Sequence, residues 1–142
     1  MFNYSKISRH RLASCHIDLQ NLFFEVLEHY DHSILCGHRG REEQEALFNV
    51  KPQRTKLQYP HSKHNKLPAM AIDVAPYPIK WDNEHSNRFY CFAGFVLGVA
   101  SQLKKQGVTS HDIRWGGDWD GDQDFSDQNF NDLVHFELIS NE

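Results

Sequence analysis

Three short segments hold residues whose types and spacing can do chemistry. Ser62-Lys63-His64 is followed across a spacer by Ala71-Ile72-Asp73, Asp132-Leu133-Val134-His135 stands near the end of the chain, and Gly37-His38-Arg39 lies toward the front. Two histidines and one carboxylate, here His64, Asp73 and His135, suffice for a catalytic zinc ion, which takes three protein ligands and leaves its fourth position to water. Imidazole and carboxylate are suitable donors, and the metal draws the pKa of its bound water toward neutrality. Asp132, three residues before His135, is placed to act as a general base that takes the water's proton and hands it to a leaving amine. Arg39 offers a fixed positive charge for the oxyanion that develops on a scissile carbonyl. Each piece alone arises readily by chance, so spacing by itself does not decide the matter.

These residues need elements to hold them. Apolar residues Leu19, Leu22, Phe23, Val26, Leu27 and Tyr30 recur at three- and four-residue steps, which predicts an amphipathic helix over 17–30. Ser33 to Gly37 reads as a short buried strand and Arg41 to Phe48 as a short helix. Three prolines make 49–68 a loop, Ala69 to Ala75 reads as a strand stopped by Pro76 and Pro78, and Asn83 to Gln106 reads as a long helix capped by Gly107. Its Gly94 and Gly98 suggest a small-residue notch against a neighbour. Ile113 to Trp115 and Leu133 to Ile139 read as strands, with a glycine-containing acidic loop over 116–131 between them. Alternation along the last strand places Leu133, His135 and Glu137 on one face and Val134, Phe136 and Leu138 on the other. Helices and strands mix without βαβ regularity, which favours a small α+β domain with helices packed on an antiparallel sheet.

Composition narrows the function further. The 142 residues suit one domain, and fifteen Lys+Arg against nineteen Asp+Glu give a net charge of −4, which provides no general pull toward nucleic acid or an anionic membrane. Cys15, Cys36 and Cys91 are odd in number and widely spaced, so they read as buried free thiols. The longest apolar run, Phe89 to Ala100, falls short of the about twenty residues that span a bilayer. The N-terminus lacks the apolar stretch of a secretory signal, which predicts a protein kept in the cytoplasm unless something else exports it. Alternating carboxylates at Asp118, Asp120, Asp122, Asp124 and Asp127 invite a calcium (Ca2+) site, yet Gln123 and Asn129 occupy the positions where an EF-hand loop needs Gly and Glu. A solvated acidic loop is the expectation there. Trp115 and Trp119 flank the loop's start and either line a cleft or pack beneath it.

The segments SKHNKLPAMAIDVAPYP, RWGGDWDGD and DLVHFELI, in that order, resemble the zinc metallopeptidase family of D-Ala-D-Ala carboxypeptidases and L-alanyl-D-glutamate peptidases, most closely its single-domain phage endolysins. Gly37, Arg39 and Gln44 match the family's G-x-R and downstream Gln, so the likeness runs over about 34–139. Many members have a shorter spacer between ligand His and Asp than Asn65 to Ile72, which is read as a loop variation. The resemblance implies one zinc ion (Zn2+) on His64, Asp73 and His135, a catalytic base at Asp132, a transition-state contact at Arg39 and a substrate contact at Ser62. It implies a hedgehog/DD-peptidase-like α+β fold over a single domain, 1–142. The expected activity is hydrolysis of the L-Ala–D-Glu bond in the peptidoglycan stem peptide, by a monomer acting as an endolysin without nucleic acid or membrane insertion. The alternatives are a D-Ala-D-Ala carboxypeptidase and a non-catalytic, zinc-stabilised binding module.

Overall fold

This computed structural model describes residues 1–123 and 132–140, and among these the chain folds as four α-helices on one four-stranded antiparallel sheet. Helix α1 spans Lys6–Ala13 and begins at Ser5, whose hydroxyl accepts from the Ser8 amide. The sequence reading gave no element there, because only Ser8 and Leu12 of this polar helix are buried. Helix α2, Ile17–Leu27, buries Leu19, Leu22, Phe23, Val26 and Leu27 as the periodicity requires, but ends three residues earlier than expected. Helix α3 spans Arg41–Asn49 and buries only Gln44. Helix α4, Asn87–Lys105, buries Phe89, Phe92, Ala93, Val96, Ala100 and Leu103. The segment Asn83–His85 ahead of it is a separate 3-10 turn, capped by Asp82. Gly94 and Gly98 face open space, so the expected notch against a neighbour is absent.

The strands are β1 (His32–Cys36), β2 (Ala71–Pro76), β3 (Asp112–Trp115) and β4 (His135–Ile139), in the spatial order β1-β2-β4-β3. Pro76 is the last residue of β2, where it pairs with His32 of the edge strand β1. Strand β4 starts at His135 rather than Leu133. One face of the sheet carries Ile34, Ile72, Val74, Phe136 and Leu138 into a core shared with α2 and α4. Burying each such side chain contributes roughly 1.5–3 kcal/mol. The opposite face carries Asp73, paired in register with His135, and then Glu137 two residues on. Alternation therefore sends the chemistry to one side and the packing to the other. Of the cysteines, Cys15 is buried, Cys36 is half-buried and Cys91 is exposed, so the reading of three buried thiols holds only for the first.

Candidate active site

Each functional side chain is aimed by a local device. Register slips by one residue between Ile34 and Cys36, a bulge that ends β1 and turns the chain into Gly37-His38-Arg39. A Cβ on Gly37 would lie 2.2 Å from the Arg11 carbonyl oxygen, so only glycine lets this turn pack against the end of α1. The turn then presents the Gly37 carbonyl to His64, whose Nδ1 donates to it at 2.8 Å. His64 itself sits in a 3-10 turn, Lys63–Asn65, closed by a reciprocal cap. Ser62 Oγ accepts from the His64 amide, and Asn65 Oδ1 accepts from the Ser62 amide. The Asn65 side chain donates to the Arg39 carbonyl and to Gln44 Oε1, which ties this turn to α3.

The carbonyl of Gly37 can only accept, so Nδ1 of His64 carries a proton and the bare nitrogen of its neutral form is Nε2. That nitrogen lies 3.2 Å from Asp73 Oδ1. On the neighbouring strand His135 Nε2 lies 2.8 Å from Glu137 Oε1, and His135 Nδ1 lies 3.3 Å from the same Asp73 oxygen. Glu137 is an ionised acceptor: burial pushes its carboxyl up, but the His135 hydrogen bond and Arg114 outweigh that and hold it at about 2. Two imidazole nitrogens and a carboxylate oxygen thus converge, each ring fixed from behind by an acceptor, which is the arrangement that orients histidines on a metal. Burial alone would lower the pKa of His64, yet the charge of Asp73 raises it to about 10. Burial likewise opposes ionisation of Asp73, but His64 and His135 hold its carboxyl far below the usual range. Asp73 is a half-buried anion that calls for positive charge at this point. This donor set fits a divalent cation with one side open to the cleft.

Asp132 stands beside the three. Its carboxylate and ligand atoms of Asp73 and His135 all lie within 4.8 Å of one another. Its backbone is locked by Gly116, which accepts from the Asp132 amide and would clash at 2.2 Å with the Asp132 carbonyl oxygen if it bore a Cβ. Burial first, and then the charge of Asp73, raises the pKa of Asp132. Arg39 is buried, donates from Nη1 to Gln44 Oε1 and from Nη2 to Asp73 Oδ2, and keeps its buried Nε without a partner. The cleft above these groups has a volume of about 480 Å³, and its walls include Arg54, Lys56, Ser62, Lys63 and Trp119. Trp119 lies over His135 at 5.4 Å between ring centres, while Trp115 is buried beneath and donates to the Leu133 carbonyl. One tryptophan lines the cleft and the other packs under it.

A family model for phage L-alanyl-D-glutamate peptidases matches residues 1–139. The chain belongs to this family. The resemblance in sequence reached only 34–139, so the match adds α1 and α2 to the shared unit. In structure the chain is similar to the L-Ala D-Glu endopeptidase ChiX of Serratia marcescens, with a TM-score of 0.66 and 19% identity, covering 98% of this chain and 90% of that one. At that identity the likeness speaks for the α+β fold. No curated protein matches the chain in sequence.

This peptidase brings His64, Asp73, His135, Asp132, Arg39 and Ser62 into one cleft, so every candidate residue read from the sequence converges there. Sequence reading missed the supporting residues. Glu137 was visible only as an ionisable group on the His135 face, and the buried Gln44 only as part of a motif. Of the acidic loop, Asp118 is buried with Oδ2 accepting from the Gln123 amide, so this part is not solvated. The bridge between Trp115 and Asp118 folds it inward. Asp124, Asp127 and Asn129 lie outside the described residues.

Proposed function

We propose that this peptidoglycan hydrolase is a zinc-dependent L-alanyl-D-glutamate endopeptidase, with His64, Asp73 and His135 holding the ion and Asp132 acting as its base. The observation that carries the reading is the convergence of His64 Nε2 and His135 Nδ1 on one Asp73 oxygen, with the Asp132 carboxylate alongside. When bound, zinc supplies Lewis acidity that polarises the scissile carbonyl and makes water a nucleophile at neutral pH. Asp132 takes the proton of the attacking water and passes it to the departing glutamyl nitrogen. A carboxyl whose pKa is raised by burial and by Asp73 suits a group that must both accept and return a proton. Arg39 orients Asp73 through Oδ2 and adds positive potential where the scissile carbonyl oxygen gains charge. Ser62 fixes His64 through its cap, and its hydroxyl keeps a donor for substrate. The protein acts as a monomer and as an endolysin, reaching the wall from the host cytoplasm through a separate pore.

Clearing of permeabilised Gram-negative cells tests this reading. Clearing is expected to stop with a chelator, return with added zinc, and be absent in His135→Ala. Mass analysis should find new D-glutamyl amines in the released fragments. Chelator-resistant clearing would refute the metal, and release of terminal D-Ala alone would reassign the bond to a carboxypeptidase. A folded, zinc-loaded protein that clears nothing and trims nothing would be the binding module.

A further inference from the structure

We propose that Trp81 forms the floor of a subsite for the uncharged amino sugar attached on the alanyl side of the scissile bond; this rests on the endopeptidase reading. A second cavity of about 250 Å³ is lined by Trp81, Asp82, Asn83, Ser86, Phe89 and Leu133, and it shares Asp132 and Val134 with the active-site cleft. A ligand whose reacting bond lies at Asp132 therefore extends directly into it. Trp81 is 65% exposed, a large apolar surface left in water. Its indole stacks on Phe89 at 5.5 Å with an interplanar angle of 26°. Phe89 is anchored in the buried face of α4, so the exposed ring is held in place by packing. A fixed aromatic plane beside amide and hydroxyl groups, Asn83 and Ser86, suits the C–H face and the hydroxyl and acetamido groups of a pyranose. Asp82 also borders the cavity, with its Oδ1 turned to the His85 amide as the cap of the 3-10 turn.

Charge gives the direction. Arg54, Lys56 and Lys63 line the main cleft, whereas among the described residues no cationic side chain lines the Trp81 cavity. In peptidoglycan the glutamyl side of the bond carries free carboxylates. On the other side the alanyl nitrogen is acylated by a lactyl ether of an N-acetylated amino sugar, which has no charge. The stem peptide's acids thus lie along the basic wall, and the sugar lies over Trp81.

Two substrates with the same scissile bond test the subsite: a stem tripeptide whose alanyl nitrogen is merely acetylated, and the same peptide carried on N-acetylmuramic acid. The wild type is expected to prefer the sugar-bearing substrate in kcat/KM. Trp81→Ala should lower that preference about tenfold, the loss of one aromatic contact, and Trp81→Phe should restore most of it. An unchanged preference in a folded Trp81→Ala protein overturns the subsite. Equal losses on both substrates overturn it too, because Trp81 would then be supporting Asp132. Cleavage of neither substrate by zinc-loaded wild type would sink the endopeptidase reading separately. The Trp81 indole N–H resonance then decides: a shift on adding the sugar-bearing peptide alone supports the subsite, and no shift overturns it.

Discussion

His64, Asp73 and His135 in the cleft, and His16, Asp18 and His111 where α2 meets the segment before β3, offer the same three side-chain types in close contact. Around Asp73 the ring nitrogens facing the carboxylate are the ones left bare when each ring is neutral, as a metal would need it, because Gly37 and Glu137 accept from the others. Around Asp18 the atoms that face one another are already committed. Its Oδ2 accepts from the amides of Ser110 and His111, from Ser110 Oγ, and from His111 Nδ1 at 2.7 Å. The Nδ1 lone pair of His16 accepts from the Asp18 amide and so caps α2. One cluster keeps lone pairs for a ligand, while the other spends them on joining two parts of the chain distant in sequence. What stands behind each ring separates the two, not the residue types.

Substitutions should divide along that line, with the largest effects in the cleft. His64→Ala or His135→Ala should abolish wall clearing and zinc binding together, while His111→Ala clears at the wild-type rate. Loss of activity in His111→Ala with retained folding would erase the distinction. Asp132→Asn should lower kcat by roughly 10²–10⁴-fold while the zinc content stays at the wild-type level; full activity would remove Asp132 from the chemistry. Glu137→Ala should weaken zinc binding about 10–100-fold, the usual effect of losing the group behind a ligand histidine, as read by competition with a chelator.

The Asp18 cluster should report in stability instead. Asp18→Ala leaves several donors without their acceptor and is expected to cost roughly 1–3 kcal/mol in urea unfolding, with clearing retained. Burial opposes ionisation of Asp18, but His111 and Ser110 outweigh it and lower its pKa. Its stabilisation is therefore present above the ordinary carboxylate pKa and is lost as pH falls through the lowered one.

His32 is a third buried histidine, packed among the rings of Tyr4, Phe23 and Phe92. Burial depresses its pKa from 6.5 to about 4, the opposite of His64 beside Asp73. Between those two pH values the unfolded chain binds a proton that the folded chain refuses. Stability should therefore fall by roughly 3 kcal/mol as pH drops across the window and be flat above it. A His32→Gln protein should lose that part of the slope in pH-dependent urea unfolding; an unchanged slope would contradict the assignment.

The sequence made part of the cleft legible because Asp73 and His135 lie on regular strands. Alternation alone puts His135 and Glu137 opposite Phe136 and Leu138, and the strand of Asp73 pairs beside it. It was silent where position depends on contacts between distant segments. Nothing local marks Gly37 as the glycine that must slide under Arg11, or Gln44 as a brace between Arg39 and the Leu57 carbonyl. Helix α1 escaped because it buries too little apolar surface to leave a periodic signature. The junction of Asp18 with Ser110 and His111 spans more than ninety positions and leaves no local pattern either. The same holds for Trp81, which meets Asp132 only through a shared cavity.

Under the proposed function the Asp73 cluster holds zinc and the Asp18 cluster does not. Metal content after zinc loading and desalting tests it directly, in the wild type, His135→Ala and His111→Ala. The account predicts one zinc per chain in the wild type, none in His135→Ala and one in His111→Ala. Zinc retained by His135→Ala, or lost from a folded His111→Ala, would contradict it.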